Sequence, residues 1–302
     1  MSRKRKGDPV NGWVILDKPA GLGSTTAVSI VRRIFNAQKA GHAGTLDPAA
    51  SGVLPIALGE ATKTIPYVMD GKKTYAFTVR FGQATDTDDA AGNVIARTDV
   101  LPDKESILNA LPSFIGEIEQ VPPKFSAIHV NGQRAYDLAR RQQDVELKPR
   151  RIRIDSLRLI EPFDPLNACF EVDCGKGTYV RSLARDIAEK VGSLGHVTAL
   201  RRLKCAKFSV QSAFLLEYLK SLEHSSNWTG VLLPVETVLD DIPALALTQA
   251  QAEKLSNGGF LPVNGFTAVP QAEILQATLE DRLIALVRVQ DDTVRPVRLI
   301  NR

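Results

Sequence analysis

Gly41-His42-Ala43-Gly44-Thr45-Leu46-Asp47-Pro48-Ala49-Ala50-Ser51-Gly52 is the stretch on which the reading of this chain turns. It sets one carboxylate, Asp47, among three glycines, a histidine and a proline. Glycine lets the main chain take positive φ and approach another molecule closely. Pro48 pushes Asp47 toward extended geometry, so the carboxylate is held in place. A fixed carboxylate in a close-approach loop suits nucleophilic or acid–base chemistry. The same residues also read as an ordinary helix start, with Asp47 as the cap and Pro48 in the first turn. The run continues Val53-Leu54-Pro55-Ile56-Ala57-Leu58-Gly59-Glu60-Ala61-Thr62-Lys63.

Working outward, 302 residues with 44% hydrophobic content support a substantial core and favour two domains. No apolar run approaches membrane-spanning length, and the N-terminus lacks a signal-peptide core, so a cytoplasmic protein without a membrane partner is expected. Residues 1–10 read as a basic arm carrying Arg3-Lys4-Arg5-Lys6. Cys169, Cys174 and Cys205 make no disulfide framework, and the scattered histidines offer no metal-ligand spacing, so no metal site is expected. Net charge is only +4, but it is unevenly distributed. Lys148, Arg150, Arg151, Arg153 and Arg158 form one basic cluster, and Lys176 to Lys207 another. Either cluster is a solvated face or a phosphate-binding surface.

Gly12-Trp13-Val14-Ile15-Leu16-Asp17-Lys18-Pro19 reads as a strand and turn, followed by a helix capped by Ser24 or Thr25 with Val28, Val31 and Phe35 on one face. Thr74 to Phe81 alternates as a half-buried strand, with Tyr75, Phe77, Val79 and Phe81 on one side. Thr85 to Gly92 is an acidic turn without calcium-loop spacing. The alternation from Arg151 to Ile160 flips parity at Ser156, which predicts a bulge. Phe170 to Asp173 is a short strand, and Tyr179 to Val191 is the clearest helix, ended by Gly192. A boundary near Ile242 separates residues 11–242 from 243–302, where a short helix (248–255) and strands around 284–289 and 294–300 are expected. Gly175-Lys176-Gly177-Thr178 lacks the Ser or Thr after lysine that a P-loop needs.

The ordered motifs resemble those of the TruB family of pseudouridine synthases. Asp17-Lys18-Pro19 with Gly21 matches its N-terminal signature, Gly41 to Gly59 the segment of the catalytic aspartate, and Lys73-Thr74-Tyr75 that of the active-site tyrosine. Gly177-Thr178-Tyr179-Val180-Arg181-Ser182-Leu183 matches the segment of the arginine partner, and Gly195-His196-Val197 with Leu200-Arg201-Arg202 a later signature lining the site. The resemblance is close over roughly the first four-fifths of the chain and loose beyond.

It implies an α+β pseudouridine synthase fold: a mixed, mostly antiparallel sheet flanked by helices, plus a small β-rich PUA-like C-terminal domain. It also implies conversion of uridine to pseudouridine at position 55 in the TΨC loop of tRNA, by base flipping, without cofactor, in a monomer needing no protein partner. Asp47 falls on the essential aspartate, Arg181 on its partner, expected to pair with it bidentately. Tyr75 falls on the aromatic that stacks on the base and takes part in proton transfer. His42 and Tyr179 are expected to pack against the RNA loop, while Leu200, Arg201 and Arg202 line the site. Lys18 and Lys63 serve either the fold or RNA phosphates, and Lys63 can equally pair with Glu60. Asp47 has three routes open: attack at C1′, addition at C6 of uracil, or removal of the C2′ proton. The C-terminal segment carries six basic residues (Lys254, Arg282, Arg288, Arg295, Arg298, Arg302) against six acidic ones (Glu253, Glu273, Glu280, Asp281, Asp291, Asp292), so strong independent RNA binding by it is not expected.

Three rival readings stand beside this one: a non-catalytic RNA-binding protein, a glycosidic-bond hydrolase and a guide-RNA-dependent relative. A hydrolase of that kind generally wants two carboxylates across the bond, and only Asp47 sits in a motif.

Overall fold

Trp13, Val14, Ile15 and Leu16 form an unbroken apolar run, which a strand tolerates only if both its faces are covered. In the computed structural model they lie in strand β1 (Gly12–Lys18), and all four are fully buried. Val14 and Leu16 enter one core, Trp13 and Ile15 another on the opposite face. The structure describes residues 7–126, 128–130, 133–134, 141, 147–223, 225 and 228–301. The basic run Arg3 to Lys6 therefore lies outside the described residues.

Helix α1 (Ser24–Ile34) and the short β2 (Ala40–His42) lead into the loop and then β3 (Ser51–Leu58), which pairs antiparallel with β1 along its whole length. A 3-10 turn (Gly59–Lys63) and α2 (Ile65–Asp70) follow, then β4 (Lys73–Phe81) and a hairpin of β5 (Gln83–Thr85) and β6 (Val94–Arg97). Next come α3 (Lys104–Ala110), β7 (Gly116–Gln120), the small pair β8 (His129–Val130) and β9 (Gln133–Arg134), β10 (Arg150–Ile160) and β11 (Asn167–Cys174). Helix α4 (Val180–Lys190), β12 (Gly195–Cys205), β13 (Phe208–Ser209), β14 (Phe214–Leu215) and α5 (Leu216–Ser221) complete this part.

The large sheet has ten strands and runs β14-β1-β3-β12-β4-β11-β10-β7, with β2 on β3 and β13 on β12. It is mostly antiparallel; β1–β14 and β3–β12 are the parallel pairs. A second, five-stranded sheet is built from β15 (Ala244–Ala246), β16 (Leu261–Pro262), β17 (Leu275–Leu279), β18 (Arg282–Gln290) and β19 (Thr293–Leu299), with α6 (Gln249–Ser256) packed on it. The expected α+β architecture with a separate C-terminal β domain is what the structure has.

Several expectations hold in detail. The parity flip near Ser156 is a register shift between Ile154 and Ser156 against β11. Helix α4 buries Val180, Leu183, Ala184, Ile187 and Ala188, and Gly192 beyond its end takes φ +73°. Burying Val180, Leu183 and Ile187 contributes about 1.5–3 kcal/mol each.

Others are corrected. Asp47–Pro48 starts no helix: Ala50 N–H closes a turn on Asp47 O at 3.1 Å, and the chain enters β3 at Ser51. Neither Ser24 nor Thr25 caps α1, because Gly23 holds the cap position and Ser24 lies inside the helix. The central strand β12, eleven residues long, has no period-two pattern to reveal it, because two register shifts against β4 (Val197/Ala199 and Arg202/Lys204) scramble the alternation.

Candidate active site

The loop from Ala43 to Ala50 connects two extended segments and carries no regular structure of its own, so its shape must come from neighbours. Leu46, next to Asp47, is held at both main-chain groups by the buried Ser24 hydroxyl, which donates to Leu46 O at 2.7 Å and accepts from Leu46 N–H at 2.9 Å. On the other side, Pro48 O accepts from Gly21 N–H at 2.8 Å and from Lys18 Nζ at 3.4 Å. Asp47 is thus clamped on both flanks.

Arg202 braces the loop's base. It is 1% exposed; its Nε donates to Val53 O at 2.7 Å, and a terminal nitrogen donates to Gly44 O at 3.1 Å. The two chains touch so closely here that a Cβ on Gly52, at φ +104°, would lie 2.2 Å from Arg202 O. Glycine is therefore required at that position.

Asp47 Oδ2 lies 3.1 Å from Arg181 Nε; the arginine side chain is 8% exposed and the carboxylate 42%. Arg181 comes from the first turn of α4, and its two terminal nitrogens donate to Thr87 O at 3.0 Å and Phe125 O at 2.9 Å. The pairing with Asp47 is therefore single, through Nε, and not bidentate: the fork is spent on main-chain carbonyls. A second carboxylate, Asp89, stands 3.6 Å from the same Nε. It is itself held by Thr87 Oγ1 at 2.7 Å and Ala91 N–H at 3.0 Å. The acidic turn is fastened to α4 by Arg185, which donates to Asp88 Oδ2 at 2.9 Å. Neither Asp89 nor Ser24 carried a sign in the sequence of a place at this site. The spacing of the acidic turn gave no sign that it folds back onto Arg181, 92 residues away.

Tyr75 begins the apolar side of β4, opposite Val172 on β11 and Arg202 on β12. Half-buried, it packs where the two main cores meet, and Leu200 joins it there. Burial holds its hydroxyl above the usual phenol range, while the nearby Arg202, hydrogen-bonded to it, pulls the other way. Tyr179 is the N-cap of α4, and burial likewise raises its hydroxyl, with the nearby Ser126 and Arg150 pulling the other way. His42, in β2, pairs with Ile56; its Nδ1 is enclosed with no hydrogen-bond partner among the described residues. Burial first and Arg202 second hold its pKa down, so the ring is neutral at pH 7.

Lys18 is fully buried, and its ammonium donates to Pro19 O at 2.9 Å and Leu22 O at 2.7 Å as well as to Pro48 O. Burial lowers its pKa to about 8, against the pull of Asp47. Lys63 pairs with Glu60 at 2.6 Å and donates to Leu299 O at 2.7 Å, at the junction with the C-terminal sheet. Arg201 forms a bidentate pair with Asp17 at 2.9 and 2.7 Å. The donors of Lys18, Lys63 and Arg202 thus meet protein oxygens where RNA phosphates were one expectation. Lys63 makes the pair with Glu60 that the sequence offered.

An open carboxylate held by a buried, fixed guanidinium is an arrangement that can do acid–base or nucleophilic chemistry. Comparison with known proteins gives its class. The description "TruB family pseudouridylate synthase (N terminal domain)" matches residues 32–180, and "tRNA pseudouridylate synthase B C-terminal domain" matches 181–240. The chain belongs to the TruB family of pseudouridylate synthases. It is a pseudouridine synthase, an isomerase, and its relatives match nearly all of this chain. It is 49% identical to tRNA pseudouridine synthase B of Rhodospirillum rubrum, covering 100% of both chains. It is also 49% identical to that of Caulobacter vibrioides over 99% of each, and 50% identical to that of Bradyrhizobium diazoefficiens over 97% of this chain and 86% of the relative. The fold is shared with a chain of a Cbf5-Nop10-Gar1 complex (TM-score 0.71, 24% identity, 96% of this chain and 84% of that one). It is shared too with an archaeal box H/ACA sRNP Nop10-Cbf5 complex (TM-score 0.72, 22% identity, 100% and 93%). No helix among the described residues is long and apolar enough to cross a membrane.

Proposed function

We propose that this chain converts uridine to pseudouridine at position 55 in the TΨC loop of tRNA, acting alone as a cytoplasmic monomer. The observation that carries this reading is the Asp47–Arg181 contact: the cation is enclosed and fixed while the carboxylate faces solvent. That is the arrangement a reacting carboxylate needs, and it stands on the motif that the sequence marks.

The reaction breaks the N1–C1′ bond, forms C5–C1′, removes the proton from C5 and leaves one on N1. Atoms and electrons balance within the substrate, so the isomerisation calls for no cofactor. Asp47 supplies the carboxylate for C1′ attack, C6 addition or C2′ deprotonation. Arg181 keeps it oriented. The uracil reaches Asp47 only by leaving its stack, at a cost of a few kcal/mol. In this reading the Tyr75 ring covers the flipped base, and its hydroxyl, beside Arg202, takes part in proton transfer from C5. His42, Tyr179, Leu200 and Arg201 surround the bound loop. Arg150, exposed on β10 near Tyr179, and its exposed neighbour Arg151 supply phosphate contacts that offset flipping. The C-terminal sheet is read as a PUA-like accessory to RNA binding.

Two unmodified tRNA transcripts, one with uridine and one with cytidine at position 55, test the site assignment. Pseudouridine mapped at 55 in the first and nowhere in the second is expected. Modification at other uridines in both would overturn it.

A further inference from the structure

Tyr179 and Arg181 both depend on where α4 begins, and the cap residue, Tyr179, makes no side-chain cap hydrogen bond. A helix start leaves main-chain N–H groups open, the cap's own among them. Here that N–H donates to Gln120 Oε1 at 2.9 Å, and Nε2 of the same amide donates back to Tyr179 O at 3.2 Å. One side chain thus occupies both main-chain groups of one residue, as a neighbouring strand would. Gln120 is the last residue of β7 and is 2% exposed. The segment after it continues the grip. Val121 O accepts from Ser182 Oγ at 2.8 Å and from Arg185 at 3.0 Å, and Phe125 O accepts from Arg181 at 2.9 Å.

We propose that Gln120 is a positioning residue for the isomerisation: by holding Tyr179 at both its N–H and its C=O, it sets the first turn of α4 and so aims the Arg181 guanidinium at Asp47. The inference rests on the reading of Asp47 and Arg181 as the reacting site. Only an amide of this length serves. A carboxylate accepts from Tyr179 N–H but has no hydrogen to give Tyr179 O, and an apolar side chain leaves the N–H unmade in a buried place. Arg181 lies two residues further along, so a small displacement of the helix start moves the guanidinium by a comparable amount. Misplacement of about 1 Å at a reacting group costs on the order of 10²-fold in rate.

The test is a double-mutant cycle on the full-length protein, read as single-turnover pseudouridine formation on an unmodified tRNA transcript, with RNA affinity and thermal unfolding measured alongside. Gln120→Leu is expected to slow the chemical step about 10- to 100-fold, by a larger factor than it weakens RNA binding. Gln120→Glu, keeping the acceptor, should fall between. Combined with Arg181→Lys, either change should cost less than the product of the single losses, since both act through the same guanidinium. Losses that multiply fully, or a folded Gln120→Leu protein with unchanged rate, would overturn the proposal. If Gln120→Leu does not fold, Gln120→Glu carries the cycle. Asp47→Asn in the same assay separates the two levels. An active Asp47→Asn protein sinks the site itself, whereas an inactive one beside multiplicative Gln120 losses sinks only the positioning role.

Discussion

Arg181 and Asp47 meet through one nitrogen and one oxygen, Nε to Oδ2 at 3.1 Å, with the arginine enclosed and the carboxylate 42% exposed. The rest of the guanidinium is bound to Thr87 O and Phe125 O. The cation is therefore fixed by the fold before substrate arrives, and the anion's other oxygen carries no hydrogen bond from the described residues. Such preorganised charge is usually the largest single contribution an active site makes.

Arg181→Lys should lower kcat by about 10²-fold or more while changing KM less. A lysine is a point charge with a flexible stem and lacks the planar fork that reaches two carbonyls and a carboxylate together. Steady-state rates on an unmodified transcript check this, and a wild-type kcat would contradict it.

Tyr75 separates ring from hydroxyl. Tyr75→Phe keeps the packing at the junction of the two cores, so stability should stay within about 1 kcal/mol. If the hydroxyl moves a proton, kcat falls about 10²- to 10⁴-fold. A fully active Tyr75→Phe protein beside an inactive Tyr75→Leu protein would reduce the role to stacking.

How much of this was legible in the sequence depends on whether a feature is local. The strand from Gly12 to Lys18 and the α4 stripe follow from hydrophobic order within a few residues, and both stand as read. Asp47, Tyr75 and Arg181 were marked by motifs, and the fold brings Asp47 and Arg181 together across 134 positions of sequence. What lay hidden is non-local. Ser24 looked like a helix cap because serine commonly is one, yet its hydroxyl is taken by Leu46. Asp89 looked like part of an acidic turn with no link to the site, and that turn closes on Arg181. Strand β12 stayed hidden because its bulges break the alternation by which strands are recognised.

Lys18 predicts a pH signature. Its folded-state pKa is about 8 against an ordinary 10.5. Between those values the unfolded chain holds a proton that the folded chain has released. This group's contribution to stability therefore rises with pH across that window and is flat below it. Urea unfolding at pH 7.5, 9 and 10, compared with Lys18→Met, isolates the effect. The advantage of wild type over the variant should grow with pH, and an advantage that stays constant or shrinks would contradict the assignment.

The junction between the sheets predicts a stability effect away from the site. Glu60 Oε2 accepts from Lys63 at 2.6 Å and from Asn301 N–H at 2.6 Å, while Lys63 also donates to Leu299 O. Leu283, Leu286 and Ile300 from the C-terminal domain pack there against Leu239 and Tyr67. Lys63→Met should cost about 1–3 kcal/mol by leaving Leu299 O and Glu60 short of a donor. Faster proteolytic cleavage in the connection near residue 242 should accompany it. Unchanged unfolding and cleavage would show the junction to be incidental.

The most direct measurement compares wild type with Asp47→Asn on an unmodified tRNA transcript without added cofactor, mapping pseudouridine position by position and measuring RNA affinity in parallel. The substitution keeps shape and removes the ionisable group. The account predicts pseudouridine at position 55 from wild type only, with both proteins binding the RNA to within a few-fold. Pseudouridine formed by Asp47→Asn at a comparable rate would contradict it.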